Sequence, residues 1–158
     1  MFQAYLSAEL GCTQMLQVKN SCIFVPNLYS DAIRYAVADF GFLESDTCVS
    51  TEIQYKGTSY KKGDFLVAKS DESMKFGELV VILIHNEAAV YFVLDVYTSE
   101  YHNEYHLYSV TKQNAQLLCL NITDLVDFYP LKSYIINGHR VIPLKHSVFV
   151  TVKTHTPL

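Results

Sequence analysis

A chain of 158 residues, half of them apolar and 18% charged, is long enough for one domain with a full core and too short for two. That composition excludes a disordered chain, and a formal net charge of −4 gives no general attraction for nucleic acid or an anionic membrane. The longest aliphatic run, LVVILI at 79–84, is far shorter than the roughly 20 residues of a spanning helix, so a buried core strand is expected there.

The first residues, MFQAYLSAELG, have no basic n-region and carry Glu9 early, so they do not read as a secretory signal. An intracellular setting, nuclear or cytoplasmic, is expected. Cys12, Cys22, Cys48 and Cys119 are widely spaced with no C-x-x-C pair, which fits reduced, mostly buried thiols rather than a zinc site. The sequon Asn121-Ile122-Thr123 has no bearing in that compartment.

Residues 1–25 show no clean period. NSCIFVPN brings in a short strand stopped by Pro26. SDAIRYAVADFG is the one good helix signal: Ser30 caps it, Asp31 suits the positive end of the dipole, and Gly41 stops it. Ile33, Ala36, Val37 and Phe40 form its buried stripe.

From residue 50 the chain reads as strands. STEIQY and TSY flank a turn at Lys56-Gly57, a second turn follows at Lys62-Gly63-Asp64, and FLVAK leads into a polar SDESMK loop. FGELVVILI and AVYFVLDVY make a hairpin across HNEA, with Val90, Phe92, Leu94 and Val96 on the buried face and Tyr91, Val93, Asp95 and Tyr97 on the other. YHLYSVT and AQLLCLN are expected to pair, turning near Lys112–Asn114. TDLVDFYP reads as a short helical turn capped by Thr123 or Asp124 and ended by Pro130. Asn137-Gly138 predicts a type I′ hairpin pairing Ile136 with His139 and Tyr134 with Val141. HSVFVTVKT alternates as a last strand or an extended tail.

These elements predict a mainly β fold: a small antiparallel, partly closed, SH3-like barrel with an N-terminal helix and a short helical turn. The expected layout is an N-terminal extension with one helix at 1–49, the barrel at 50–147, and a C-terminal strand or tail at 148–158.

Candidate sites are few. In YTSEYHNEYHLYSV, strand alternation would aim Glu100, His102, Glu104 and His106 to one side, as a metal site needs. The spacing is H-x-E-x-H and not the helical H-E-x-x-H, so a solvated hairpin end is the better reading, and no metal is expected. His85, His139 and His146 are scattered, and a surface or hydrogen-bonded core role suits each. No G-x-S-x-G elbow, reactive cysteine setting or glycine-rich phosphate loop occurs, and the carboxylate pairs lie in turn-like contexts, so no catalytic residue and no cofactor are expected. Lys56, Lys61, Lys62, Lys69 and Lys75, interleaved with Tyr55 and Tyr60, are the best nucleic-acid candidates. Asp64, Asp71, Glu72 and Glu78 interrupt them, so a lysine-protected strand edge is the plainer reading, with no nucleic acid expected through this domain alone.

Twelve tyrosines and nine phenylalanines stand against no tryptophan. Tyr91, Asp95 and Tyr97 share the outward phase of their strand and run into Glu100, Tyr101, Glu104 and Tyr105. Aromatic rings beside carboxylates suit a lysine or methyl-lysine of a partner peptide. The competing reading makes the same tyrosines a second packing surface under the helix.

The phrases KFGELVVI, VYFVLDVY, DFYPL and VIPLKHS, within residues 58 to about 147, resemble poorly characterised β-rich segments of multi-copy, mobile-element-associated animal proteins. YKKGDFLV before a G-E-hydrophobic hairpin resembles more distantly the entry of SH3-like barrels, including bromo-adjacent homology and Tudor-type chromatin modules, although the tryptophan common there is absent. The absence of a reactive constellation, together with the tyrosines on the outward strand phase, leads to the expectation of a non-catalytic interaction domain with a protein or peptide partner, and the resemblance implies a setting tied to chromatin or mobile elements. A structural domain or inactive remnant of a larger element-derived protein ranks second, and a hydrolytic or metal-dependent enzyme third.

Overall fold

The computed structural model describes residues 15–70, 73–112 and 116–143. The fold is mainly β and antiparallel, a curled half-barrel with one short helix. Its centre is the hairpin of β7 (Ser73–His85) and β8 (Ala89–His102), turned by Asn86 and Glu87 in the left-handed region at φ 51° and 62°.

These two strands are longer than most, and each borders different partners along its length. Toward the turn, β3 (Thr47–Ser50) pairs with β7, and β2 (Cys22–Ile23) pairs with β3. Toward the other end, β6 (Phe65–Ser70) pairs with β7, and β11 (Leu125–Leu131) with β6. A separate three-stranded meander joins β1 (Leu16–Lys19), β4 (Glu52–Tyr55) and β5 (Thr58–Lys61). The boundary expected at 49/50 therefore falls inside β3.

Three apolar cores form on the hairpin. Leu79, Ile82, Ile84, Val90, Phe92 and Leu94 meet the meander through Leu16, Ile53 and Tyr60. On the reverse face, Val81, Leu83 and Val93 meet Phe24, Phe42 and Val37 of α1 (Asp31–Val37). A register shift between Leu79 and Val81 inserts Val80, which re-phases the strand between these layers. Farther along, Phe76 and Tyr97 join Phe65, Val67, Val110, Leu131 and Ile142 in a third cluster. Both faces of the central hairpin are thus covered, which explains its near-continuous apolar run.

The helix ends follow the expected chemistry. Ser30 Oγ accepts from Ile33 N at 3.3 Å, and Gly41 takes a left-handed φ of 67° after a 3-10 turn at Ala38–Phe40. Val37 is buried, Ile33 and Ala36 are half-buried, and Phe40 is exposed at its edge yet stacked on Phe42.

Several expectations need correction. β9 (Leu107–Thr111) and β10 (Leu117–Asn121) do not pair with each other. Both run antiparallel to β8, one after the other, because that 14-residue strand offers partners along its whole length. β9 and β10 therefore run in the same direction along β8, and Val96 N donates to Gln116 O at 2.9 Å just before β10. TDLVDFYP is mostly strand. Only Ile122–Asp124 is helical, as a 3-10 turn capped by Asn121, whose side chain accepts from Thr123 N. Pro130 is tolerated in β11 because this is an edge strand with irregular register. β1 arises where no period was evident. Ser73 and Lys75 belong to β7, so the polar loop before the hairpin is shorter than expected. Val96 is half-buried while its phase-mates Val90, Phe92 and Leu94 are buried. Cys119 is buried and Cys48 half-buried, but Cys22 is exposed. The HSVFVTVKT strand, Cys12 and His146 lie outside the described residues.

The Asn137-Gly138 turn forms with the expected register. β12 (Tyr134–Ile136) and β13 (His139–Pro143) pair Ile136 with His139 and Tyr134 with Val141, and both turn residues have positive φ.

Candidate functional site

The seven residues expected to form one tyrosine and carboxylate surface separate onto two sides of the sheet. Tyr91 lies under the polypeptide that follows the helix, its ring 5.1 Å from Phe40 and 5.0 Å from Phe42. Tyr97 is only 7% exposed; its ring meets Phe65 edge-on at 5.1 Å, and its hydroxyl donates to Glu78 at 2.8 Å. Burial first, then that bond to Glu78, pushes the Tyr97 hydroxyl up to about 12. Asp95 is buried with Lys112 Nζ 2.5 Å from one carboxylate oxygen, which drives the lysine upward. Tyr101 packs its ring against Tyr108 at 5.1 Å. The outward phase assigned to Tyr91, Asp95 and Tyr97 is therefore a packed face. Alternation identifies two faces of a strand, but it cannot reveal that both are covered.

Glu100, Glu104 and Tyr105 are exposed, and Glu100 and Tyr105 line a groove of about 680 Å³ on the opposite face. Register builds this groove. Glu100 faces Ser109, Ser109 faces Val141, and Val141 faces Tyr134, so a row of side chains crosses four strands on one face. A second row runs from His102 through Leu107 to Pro143. Leu107, Val141 and Ile136 supply apolar walls. His102 Nε2 lies 2.9 Å from Ser109 Oγ, which fixes the ring against the sheet.

The groove opens beside β12, the last strand in the sheet order, whose Tyr134, Ile135 and Ile136 are 48%, 63% and 51% exposed. In a two-residue hairpin the pair flanking the turn is hydrogen-bonded, and bonding alternates from there. The N–H and C=O of Ile135 consequently point to the open edge. Sequence names Tyr134, Ile136 and Val141 only as partners in the hairpin and does not single out Ile135 or Leu107. The Asn137-Gly138 signal places Tyr134 and Ile136 on one face, but the β9–β13 pairing that completes the wall is non-local.

His102 is in the strand and His106 is in the turn with φ 51°, so the alternation that would converge them is broken. Among the described residues, no group of three or more histidine, cysteine, aspartate or glutamate side chains is arranged to hold a metal ion. Near the hairpin tip, Thr47 Oγ1 lies 2.7 Å from Asp46 Oδ1 and 3.2 Å from His85 Nδ1. Both contacts converge on one hydroxyl, and the bond from Thr47, then one from Leu43 N, holds the Asp46 carboxyl below its usual range. That arrangement anchors β3 to the turn. No helix among the described residues is long and apolar enough to cross a membrane. In comparisons with known proteins, no family model matches the chain and no curated protein matches it.

Proposed function

We propose that the protein is a non-catalytic interaction domain that binds an extended peptide along β12 and the groove beside it. The observation that carries this reading is the juxtaposition of an apolar strand, unpaired on one side among the described residues, with an open groove walled by Leu107, Val141 and Ile136. An added strand would bond to the free Ile135 backbone groups and lay alternate side chains into the groove. Glu100 and Glu104 have no ion-pair partner among the described residues, which favours a peptide carrying lysine or arginine among its apolar positions. The peptide contact expected of the 91–105 segment is thereby kept for Glu100, Glu104 and Tyr105. The resemblance to mobile-element-associated proteins supports a chromatin or mobile-element setting for that partner.

Selection from a random peptide display library on the full chain tests the reading. Enriched peptides should be extended, apolar and basic. Ile135→Pro removes the outward donor at the non-hydrogen-bonded Ile135–Arg140 pair, without loss of a cross-strand hydrogen bond, and should abolish binding, while Glu100→Lys should weaken basic peptides by about tenfold. Peptides that bind both variants as well as the parent would refute it.

A further inference from the structure

A separate cavity, of about 260 Å³, lies between the β4–β5 turn and β11. Tyr55, Tyr60, Phe128 and Tyr129 line it together with Lys56 and Thr58. Its geometry is fixed from below. Tyr60 is 1% exposed and its hydroxyl donates to the Phe128 carbonyl at 2.5 Å, which ties the meander to the irregular edge strand. Asp127 Oδ1 accepts from Tyr129 N at 3.1 Å and holds the next turn of that strand. Phe128 and Tyr129, at successive positions of one edge strand, are nevertheless 50% and 54% exposed.

Lys56 decides what such a site takes. Its backbone is held in the left-handed region at φ 49°, and its N–H donates to Met15 O at 2.6 Å. Its ammonium stands 5.4 Å from the centre of the Tyr55 ring and has no carboxylate partner among the described residues. A cationic ligand would meet this like charge inside the cavity. A flat π-system can stack on the exposed rings while an attached anion meets the lysine. A space of about 260 Å³ is large enough for one heteroaromatic ring.

We infer that the Tyr55–Lys56–Phe128–Tyr129 cavity is a nucleobase site, taking a purine or pyrimidine ring against the aromatic side chains and its phosphate against Lys56. The base and phosphate could belong to a free nucleotide or to a single strand. The site is independent of the peptide groove, and neither reading requires the other.

Aromatic NMR signals of the full chain, labelled at tyrosine and phenylalanine, report the site directly during titration with AMP, adenosine and inorganic phosphate. AMP should shift the Tyr55 and Tyr129 ring signals to saturation, adenosine should bind more weakly, and phosphate should leave the rings unmoved. Tyr129→Ala, at an exposed ring, should weaken AMP by at least about fivefold, the lower bound for losing a base stack. Lys56→Asn keeps a residue tolerant of positive φ and should reduce AMP to the affinity of adenosine. A thymidine hexanucleotide that binds more tightly than TMP, and loses affinity as salt rises, assigns the site to a strand; equal affinities assign it to the free nucleotide. Unmoved rings at millimolar AMP, an unchanged affinity in Tyr129→Ala, or stronger binding of tetramethylammonium than of AMP would each overturn the assignment.

Discussion

Replacing Tyr97 by alanine distinguishes a packed ring from a docking ring. The residue is 7% exposed, its ring meets Phe65 at 5.1 Å, and it belongs to the third core cluster. Removing a buried aromatic of this kind costs about 3–5 kcal/mol. For a chain of this length each kcal/mol lowers Tm by about 2–4 °C, so a drop of roughly 6–20 °C is expected. Tyr97→Phe keeps the ring and loses only the bond to Glu78, which should cost about 0.5–1.5 kcal/mol. Urea unfolding of the full chain, followed by circular dichroism at neutral pH, measures both. The hydroxyl adds a pH signature. Its folded pKa of about 12 exceeds the ordinary value of 10.0, so its contribution is complete below pH 10 and disappears as the pH rises toward 12. Tyr97→Phe should remove that part of the alkaline loss. A Tyr97→Ala protein within about 0.5 kcal/mol of the parent, the range of surface substitutions, would refute the packing argument and return the ring to the outer face.

Three further outcomes are expected. Gly77→Ala would put a Cβ 2.7 Å from Leu94 Cβ, so urea unfolding should show a loss of about 1–3 kcal/mol from forced displacement of two packed strands. Gly138→Ala has open space around it but a φ of 78°, so its cost of about 1 kcal/mol should come from the backbone alone, with native core signals preserved in NMR spectra. Tyr60 is also pushed up to about 12, by burial first and by the Asp127 charge second, so Tyr60→Phe should likewise reduce the loss of stability between pH 10 and 12 in alkaline unfolding curves.

Local chemistry made the central hairpin, the helix ends and the Asn137-Gly138 register legible. Each depends on residues within a few positions of one another: a short polar turn between apolar runs, a serine before a helix, a dipeptide suited to positive φ. The pairing of both β9 and β10 with β8 was not legible, because a polar break between two strands looks the same whether the chain reverses or continues along a longer neighbour. The strand at Leu125–Leu131 was obscured by proline and by its irregular register with β6. For the candidate site, Glu100, Glu104 and Tyr105 emerged from the sequence, but the groove depends on Leu107 meeting Pro143 and Ser109 meeting Val141 across more than thirty intervening residues. Tyr55 and Lys56 were noticed together; their approach to Phe128 and Tyr129 is equally non-local.

The turn at Asn86 and Glu87 divides the polypeptide into two stretches, and neither contains a complete core. The first brings Ile53, Tyr60 and Ile82 to one core, Phe24 and Leu83 to another, and Phe65 and Phe76 to the third. Phe92 and Leu120, Val93 and Cys119, and Tyr97 and Ile142 come from the second. Severing the gene at that turn would therefore give two halves that each lack the other side of every apolar layer. Reassembly would have to occur by pairing β7 with β8, which makes this hairpin a natural seam for a split protein whose refolding reports the meeting of two fused partners.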